Sequence, residues 1–251
     1  MVKPSREYLY GINPAFEAIR AGKRRIYAAF LSESSRKNSR ILKLEKRCGE
    51  AKIPLEWVEK GRILQLSGSK DNQGVALKAA PYPYLDSSSF WAKNRILLLD
   101  NVEDPHNVGA LLRCAEVFGF RDVLLTNKGT PDIYPSVVKV SAGASEFLNI
   151  ARDAAANRYM KAALENDFTV VALDTKGTSV LRALRGDRPK KLMLVVGGED
   201  KSVGQFILNE AHHIVSIPQQ GRVNSLNASV AAGIAMYELG GNGDCSGGNG
   251  S

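Results

Sequence analysis

Cysteine is scarce and no long apolar run is present, and both absences narrow the class of protein. The three cysteines are an odd number at scattered positions, Cys48, Cys114 and Cys245, so neither a disulfide framework nor a zinc site is expected. No apolar run approaches the roughly 20 residues of a membrane span, and the N-terminal residues lack the pattern of a secretory signal. We therefore expect a reducing, cytoplasmic location and no membrane partner. The mitochondrial matrix or another organelle is the alternative if a transit segment has been removed.

Two nucleotide-binding motifs are also missing. The segment DNVEDPHNVGALLRCAEVFGF, residues 100–120, directly follows the apolar run 96–99 and has the form of a strand that leads into a helix. It contains neither G-x-G-x-x-G nor G-x-x-x-x-G-K-[ST], and the first absence excludes a nicotinamide-dependent oxidoreductase. His106, His212 and His213 have no partners at metal-ligand spacing, so no metal is expected.

The excess positive charge lies in the first third of the chain. Residues 1–80 hold 17 Lys and Arg against 8 Asp and Glu, a balance of +9, whereas residues 81–251 hold 17 against 18. A basic surface attracts polyanions and steers their association. A solvated face that keeps the protein soluble is the other interpretation, and charge alone does not decide between the two.

The order of strand and helix patterns predicts an α/β protein with two domains. Residues 1–80 include a short helix capped by Asn13 and ended by Gly22, and a basic amphipathic helix with Ile41, Leu44 and Cys48 on one face. From residue 95 onward, apolar strands alternate with helices, which indicates a parallel sheet covered on both faces. The predicted division is a compact unit 1–80, a Pro- and Ser-rich linker 81–94, a larger domain 95–240 and a disordered Gly-rich tail 241–251.

In the larger domain, three polar segments follow predicted strands. The predicted strands are 96–99, 123–126, 169–173, 192–196 and 214–217, and the predicted helices are 105–118, 134–142, 154–166, 203–211 and 225–239. Ligands of open α/β sheets bind at the carboxyl ends of strands. The polar segments there, which we call elbows one, two and three, lie in 100–120, 195–204 and 217–229. Because they are rich in small residues but lack a phosphate loop, they suggest a ligand held mainly by backbone groups.

Elbow one leads into a helix with a single cation. Asp104 is a suitable N-cap and Pro105 suits the first helical turn. Arg113 lies one turn after Gly109, so its guanidinium is expected to lie across bare backbone and reach the end of the strand. An exposed Arg113 paired with Glu116 or Asp104 is the alternative.

Elbows two and three each offer a polar candidate with a structural alternative. Glu199 follows two glycines at the end of a buried strand, where a carboxylate also suits the start of a helix. Ser225 and Asn227 flank Leu226 before the last predicted helix, where either of them is also a good helix cap.

Taken together and in order, the three elbows resemble the characteristic segments of a known protein family. The segments LLDNVEDPHNVGALLRCAEVFGF, LVVGGEDKSVG and IPQQGRVNSLNASVAAGIAMYE are similar to those of the SpoU/TrmH (SPOUT) family of RNA ribose 2′-O-methyltransferases. Residues 1–80, with YGINPAFEAIRAG and DNQGVALKA, look like the L30e-like substrate-binding domain of one branch. That branch contains the bacterial 23S rRNA guanosine-2′-O-methyltransferase and its mitochondrial counterparts.

The resemblance implies a fold, a cofactor and a set of site residues. It implies a trefoil-knotted parallel-sheet domain that uses S-adenosyl-L-methionine, in a homodimer with contributions from both chains to each site. The implied catalytic residues are Arg113, Asn107, Glu199, Ser225 and Asn227. The implied cofactor-binding backbone is that of Thr126, Asn127, Gly197, Gly198, Ile217 and Leu226.

The implied reaction is attack of a ribose 2′-hydroxyl on the sulfonium methyl, with RNA, most of all 23S-type rRNA, as partner. A protonated arginine is a poor general base, so we expect Arg113 to anchor an adjoining phosphate and reduce charge build-up at the reacting oxygen. Methylation of tRNA, methylation of an antibiotic-resistance site in rRNA, and a non-catalytic RNA-binding or assembly role are the alternatives.

Overall fold

Two separate sheets form the framework of the protein. The computed structural model describes residues 6–181, 184, 189–198, 202–220 and 226–240. The first sheet has the order β1-β4-β2-β3, in which only β2 and β3 are parallel. Its strands are β1 Glu7–Tyr10, β2 Ile26–Ser32, β3 Leu55–Val58 and β4 Val75–Ala79, and its helices are α1 Ile12–Ala21, α2 Ser39–Glu50 and α3 Lys60–Ser67.

The helices of the first unit lie on both faces of its sheet. Leu77 of β4 belongs to the same apolar cluster as Ile41 and Leu44 of α2, and α1 packs against α2. Successive side chains of a strand point to opposite faces, so Ala76 faces the side on which α3 covers β1, β2 and β4. The predicted apolar face of α2 is confirmed, since Ile41, Leu44 and Cys48 are buried. Helix α3 is absent from the prediction because Ile63 is its one buried residue, which gives no helical period.

The start of α1 differs from the prediction. Its N-cap is Gly11, at φ 98°, and not Asn13, which lies within the first turn. The Ile12 N–H donates to the side-chain Oε1 of Gln73 at 3.0 Å, so a distant side chain satisfies a helix donor that a local cap would otherwise take. The predicted end is confirmed, because Gly22 adopts the left-handed conformation at φ 59°.

The second sheet is parallel throughout, as predicted. It has the order β7-β6-β5-β10-β8-β11-β9. Its strands are β5 Arg95–Asp100, β6 Asp122–Leu125, β7 Asn149–Ala151, β8 Thr169–Leu173, β9 Ser179–Val180, β10 Leu192–Gly197 and β11 His213–Ser216. Its helices are α4 Pro105–Val117, α5 Pro135–Val140, α6 Ala156–Glu165, α7 Gln205–Glu210 and α8 Ala228–Leu239. The strands β7 and β9 were not predicted, since two or three residues carry no periodic signal.

Residues 81–94 are packed against the second sheet along most of their length. Tyr82 is buried and its hydroxyl contacts the carbonyl oxygens of Ser145 and Leu148 at 3.0 and 2.7 Å. The Leu85 N–H donates to the Ile150 carbonyl. Phe90 is buried in the apolar cluster beneath β5. This segment is therefore an ordered part of the structure that packs on the second unit, and not only a covalent connection between the two units.

A buried ion pair joins the two units directly. The guanidinium of Arg24 donates from Nε and Nη2 to the two carboxylate oxygens of Glu146, at 2.9 and 2.8 Å, and from Nη1 to Glu7 at 3.0 Å. The side chains of Arg24 and Glu146 have no exposed surface. Glu146 lies in a short 3₁₀ helix, Ala144–Phe147, which follows α5. Partial burial raises the pKa of Glu7, although Arg24 lowers it in part.

Some predicted features lie outside the described residues. These are the tail 241–251, residues 199–201 of elbow two and residues 221–225 of elbow three. The trefoil knot depends on the path of that elbow and stays a prediction. Within the described ranges, no helix has both the length and the apolar character needed to cross a membrane.

Candidate active site at the carboxyl edge of the parallel sheet

A cavity of about 780 Å³ opens where β8, β10 and β11 end. This is the edge at which open α/β sheets bind ligands, and the volume is that of a small-molecule site. Elbows two and three supply most of its wall. Its lining residues are Leu173, Asp174, Thr175, Val196, Gly197, Gly198, Ser202, Val203, Ser216, Ile217, Pro218, Gln219, Leu226, Asn227, Ala228 and Ala231. Four of the six predicted cofactor-binding residues are thus brought together.

Gly197 allows elbow two to fold tightly over the end of β10. A Cβ atom at this position would lie 2.4 Å from the Val203 backbone nitrogen and 2.7 Å from the Ser202 carbonyl carbon. No side chain fits there without moving the backbone of residues 202–203. The glycine therefore keeps one wall of the cavity in place and leaves backbone groups at its surface.

Asp100 connects elbow one to elbow two, and sequence reasoning missed it. It ends β5, is 4% exposed, and accepts a hydrogen bond at Oδ2 from the Gly204 N–H at 3.0 Å. Gly204 is the N-cap of α7, so the carboxylate holds the start of that helix. Burial raises the pKa of Asp100, and the Gly204 hydrogen bond lowers it in part. A carboxylate at the end of a buried strand was the available signal.

Elbows one and three meet through two of the predicted site residues. The Asn227 Nδ2 donates to the Asn107 Oδ1 at 3.1 Å. The Oδ1 of Asn227 accepts from the Ser229 N–H at 2.9 Å, so Asn227 is also the N-cap of α8. Asp104 caps α4 as predicted, accepting from the His106 N–H at 2.9 Å. Asn227 can therefore cap α8 and also bind Asn107, because its side-chain oxygen makes the first contact and its side-chain nitrogen makes the second.

Arg113 is exposed on α4 and does not line the cavity. It forms no hydrogen bond or ion pair with any residue in the described part of the chain, so neither Glu116 nor Asp104 holds it. The expectation that it lies across Gly109 is wrong. Gly109 is buried, and a Cβ there would lie 2.6 Å from the Val140 Cβ, because α5 packs into the space that the missing side chain leaves. The guanidinium instead faces solvent.

Thr126 and Asn127 lie apart from the cavity. They follow β6, which is separated from β10 by β5, and they line a second pocket of about 290 Å³ together with Asp100. Thr126 is buried and its Oγ1 donates to the Lys128 carbonyl at 2.8 Å, which stabilises the turn. Their contact with the cofactor stays a prediction. Glu199 and Ser225 lie outside the described residues.

The described residues contain no cluster of three or more His, Cys, Asp or Glu side chains arranged to hold a metal ion. The polar groups at the carboxyl edge are instead amides, hydroxyls, backbone groups and single carboxylates. Such a set binds an organic ligand by shape and hydrogen bonding.

Comparison with known proteins agrees with this two-part arrangement. Residues 94–237 match the profile of the SpoU rRNA Methylase family, and residues 8–85 match that of RNA 2′-O ribose methyltransferase substrate binding. The chain is 30% identical over 242 residues to YacO of Bacillus subtilis, named as a TrmH family tRNA/rRNA methyltransferase, covering 93% of this chain and 94% of YacO.

Solved structures share the fold. The rRNA methyltransferase of Sinorhizobium meliloti with AdoMet bound has a TM-score of 0.77 at 22% identity, covering 94% of this chain and 87% of its own. The TrmH/SpoU tRNA modifying enzyme of A. aeolicus has a TM-score of 0.52 at 27% identity, covering 59% of this chain and 74% of its own.

A parallel sheet with a ligand cavity at its carboxyl edge, joined to a substrate-binding unit, defines the class as an RNA ribose methyltransferase dependent on S-adenosylmethionine. Within that class, the chain belongs to the SpoU rRNA methylase family.

Proposed function

We propose that this protein transfers a methyl group to the ribose 2′-hydroxyl of a guanosine in large-subunit, 23S-type rRNA. The observation that carries the proposal is the N-terminal unit, which is docked on the catalytic domain through the Arg24–Glu146 pair. The rRNA methyltransferase of Sinorhizobium meliloti matches both units, whereas the tRNA modifying enzyme of A. aeolicus matches 59% of the chain. The name of YacO includes both tRNA and rRNA as substrates, so tRNA is the second candidate substrate.

The cavity fits the methyl donor. Its volume of about 780 Å³ suits a cofactor of that size, and Gly197 lets the backbone of residues 202–203 pack against the end of β10 to form one wall. Apolar groups of Val196, Ile217 and Leu226 line it beside the carboxylate of Asp174, which suits a ligand with an aromatic base and a cationic part. When bound, S-adenosylmethionine supplies an activated sulfonium methyl, so the protein has to align the attacking oxygen and assist loss of its proton.

The polar side chains have distinct roles in this proposal. Asn227 and Asn107, joined by their hydrogen bond, orient the ribose at the rim of the cavity. Arg113 binds the adjoining phosphate through paired hydrogen bonds and stabilises charge at the 2′-oxygen. The catalytic roles expected of Glu199 and Ser225 stay predictions, because both residues lie outside the described part of the chain. The bond formed is O–CH₃, the bond broken is S–CH₃, and the 2′-hydroxyl proton leaves to solvent.

We further propose that two chains form a homodimer through α4 and α8, with Arg113 of each chain serving the cavity of the other. Helix α8 exposes Val230, Ile234 and Tyr237 at helical spacing, where they border an apolar groove with Cys114 of α4, and Val117 of the same helix α4 is 64% exposed. Contiguous apolar surface of this kind is typical of protein contacts. Arg113 lies on the same helix as Val117, and within its own described chain it has no partner. The knotted path of elbow three and a cytoplasmic location remain part of the proposal.

The function is tested by mapping ribose 2′-O-methylation on total RNA from cells with and without the gene. We expect one methylated guanosine of large-subunit rRNA to disappear in the deletion and to return with the wild-type gene. The Arg113→Ala gene is the matched control and should not restore it. Loss of a tRNA methylation instead, or unchanged maps, would contradict the proposed substrate.

Gly197→Ala is expected to weaken S-adenosylmethionine binding about tenfold or more. The added methyl group would meet the Val203 backbone nitrogen at 2.4 Å, and an overpacked site typically costs about 1–3 kcal/mol. Isothermal titration calorimetry measures the change. Gly61→Ala is the control, since nothing lies within 4 Å of its Cβ position. Equal affinity in both variants would show that the donor binds elsewhere.

A further inference from the structure

A basic groove lies between α1 and α2, away from the catalytic cavity. It has a volume of about 340 Å³. We call it the α1–α2 groove, and its lining residues are Asn13, Phe16, Glu17, Arg20, Arg40, Lys43 and Arg47. Four cations and one carboxylate therefore border a single concave surface. The family match assigns the N-terminal unit to substrate binding but identifies no surface of it.

Three of the cations form a stripe along α2. Arg40, Lys43 and Arg47 are spaced three and four residues apart, which places them on one side of a helix. All three are exposed, and they flank the buried face formed by Ile41 and Leu44. A stripe that runs about 10 Å along a helix can contact successive phosphates of one nucleic-acid strand.

Local carboxylates neutralise only part of this charge. Arg20 pairs with the half-buried Glu17 at 2.8 Å, whereas Arg47 pairs with Glu50 at 3.3 Å with both side chains exposed. An exposed pair such as Arg47–Glu50 contributes little to stability, so a phosphate can replace the carboxylate at small cost. Arg40 contacts the neutral side chain of Asn13, and Lys43 forms no ion pair within the described residues. The groove therefore keeps an excess of positive charge.

The groove adjoins the catalytic domain. The guanidinium of Arg20 lies 4.7 Å from the ring centroid of Phe147, which follows Glu146 in the second unit. Gly143 packs so closely on α1 that a Cβ there would lie 2.6 Å from the Glu17 Cβ. Together with the Arg24–Glu146 pair, these contacts fix the groove relative to the catalytic helix α4, which packs against both α5 and the 3₁₀ helix.

We propose that the α1–α2 groove binds the phosphodiester backbone of the RNA at a fixed distance from the methylated ribose. The proposal rests on RNA being the substrate. The groove has no aromatic base-stacking platform beyond the partly buried Phe16, so it holds the backbone and leaves sequence reading to other surfaces. Its geometry selects RNA whose flanking strand reaches the groove when the target ribose is in the site.

The test compares two charge-reversal variants of equal charge. Lys43→Glu with Arg47→Glu changes the groove, and Lys60→Glu with Arg62→Glu changes exposed cations of α3 on the opposite face of the sheet. Fluorescence anisotropy measures binding of deproteinised ribosomal RNA and, separately, bulk tRNA at several salt concentrations. The groove variant should bind ribosomal RNA at least about tenfold more weakly, with a log–log salt slope reduced by about 1.4 for two lost single-strand phosphate contacts. The α3 variant should change less than about twofold.

Calorimetric S-adenosylmethionine binding, expected to be unchanged in both variants, shows that the catalytic domain is folded, and an unchanged urea unfolding transition shows the same for the N-terminal unit. Equal losses in both variants, or none in the groove variant, would overturn the proposal while wild-type methylation stands. A groove variant that binds RNA normally but loses salt-sensitive binding to polyglutamate would assign the groove to an acidic protein and also overturn it. If the wild type neither binds nor methylates either RNA, the proposed function itself fails.

Discussion

Arg113→Ala is expected to reduce single-turnover methyl transfer about 100- to 1,000-fold, while S-adenosylmethionine affinity stays within about twofold of wild type. Loss of one well-placed charge-stabilising donor has an effect of this size on other enzymes. Arg113 is exposed and lies outside the lining of the cavity, so its removal should not disturb donor binding. Rapid-quench methylation and calorimetry measure the two quantities. An equal loss of donor affinity would show that Arg113 acts on the cofactor and not on RNA.

Mixing two impaired variants, at an S-adenosylmethionine concentration too low to saturate Gly197→Ala, tests whether Arg113 acts across the dimer. One chain carries Arg113→Ala and the other carries Gly197→Ala, which impairs its own cavity. If Arg113 serves the partner's cavity, each mixed dimer has one complete site, and random exchange of equal amounts restores about a quarter of wild-type activity. If Arg113 serves its own cavity, no mixed dimer contains a complete site and activity stays at the background. Sedimentation of the wild type measures the dimer independently.

Arg113→Lys separates charge from geometry. Lysine keeps the positive charge but cannot make the paired, planar contacts that a guanidinium offers a phosphate. We expect turnover to fall substantially at every pH. Nearly full turnover across pH would contradict both a bidentate role and a base role for the arginine.

Local signals in the sequence predicted the parts of the site that depend on neighbouring residues. The caps Asp104 and Asn227 are short-range features, since each accepts from an N–H two residues onward. The alternation of apolar strands and helices likewise predicted the parallel sheet. Asp100 could not be placed in this way, because its hydrogen bond to Gly204 spans 104 residues. The sequence also showed that position 109 has no side chain, but not that Val140 would fill the space this leaves.

The contacts between the two units show the same difference between local features, which the sequence predicts, and long-range contacts, which it does not. Residues 81–94 were interpreted as a linker because their composition is rich in Pro and Ser and has no period. Their fixed position comes from partners far along the chain, such as the Ser145 and Leu148 carbonyls that the Tyr82 hydroxyl contacts. Arg24 is one of three consecutive basic residues, 23–25, and nothing local distinguishes it as buried. Only the tertiary fold supplies Glu146.

That buried pair gives the second large expected effect. Glu146→Ala is expected to destabilise the docked arrangement by about 3–5 kcal/mol, because it leaves the buried Arg24 guanidinium with Glu7 as its remaining carboxylate. Urea unfolding measures the loss of stability. Hydrogen exchange of residues 143–148 shows whether the contact between the two units opens before the units themselves unfold. The control is Glu165→Ala, whose partner Lys161 is 3.8 Å away and 76% exposed, and it should leave the transition unchanged.

A third variant distinguishes the ion pair from simple packing. Combining Arg24→Met, Glu146→Leu and Glu7→Gln removes the three charges that these hydrogen bonds join, and apolar replacement of a buried pair is typically neutral or stabilising. We expect it to recover most of the stability that Glu146→Ala loses, and to restore the RNA affinity that depends on a fixed α1–α2 groove. If Glu146→Ala unfolds like Glu165→Ala, the units are not docked through this pair. If it is destabilised but RNA binding and methylation are unchanged, docking does not position the substrate, and the groove and Arg113 must act on RNA independently.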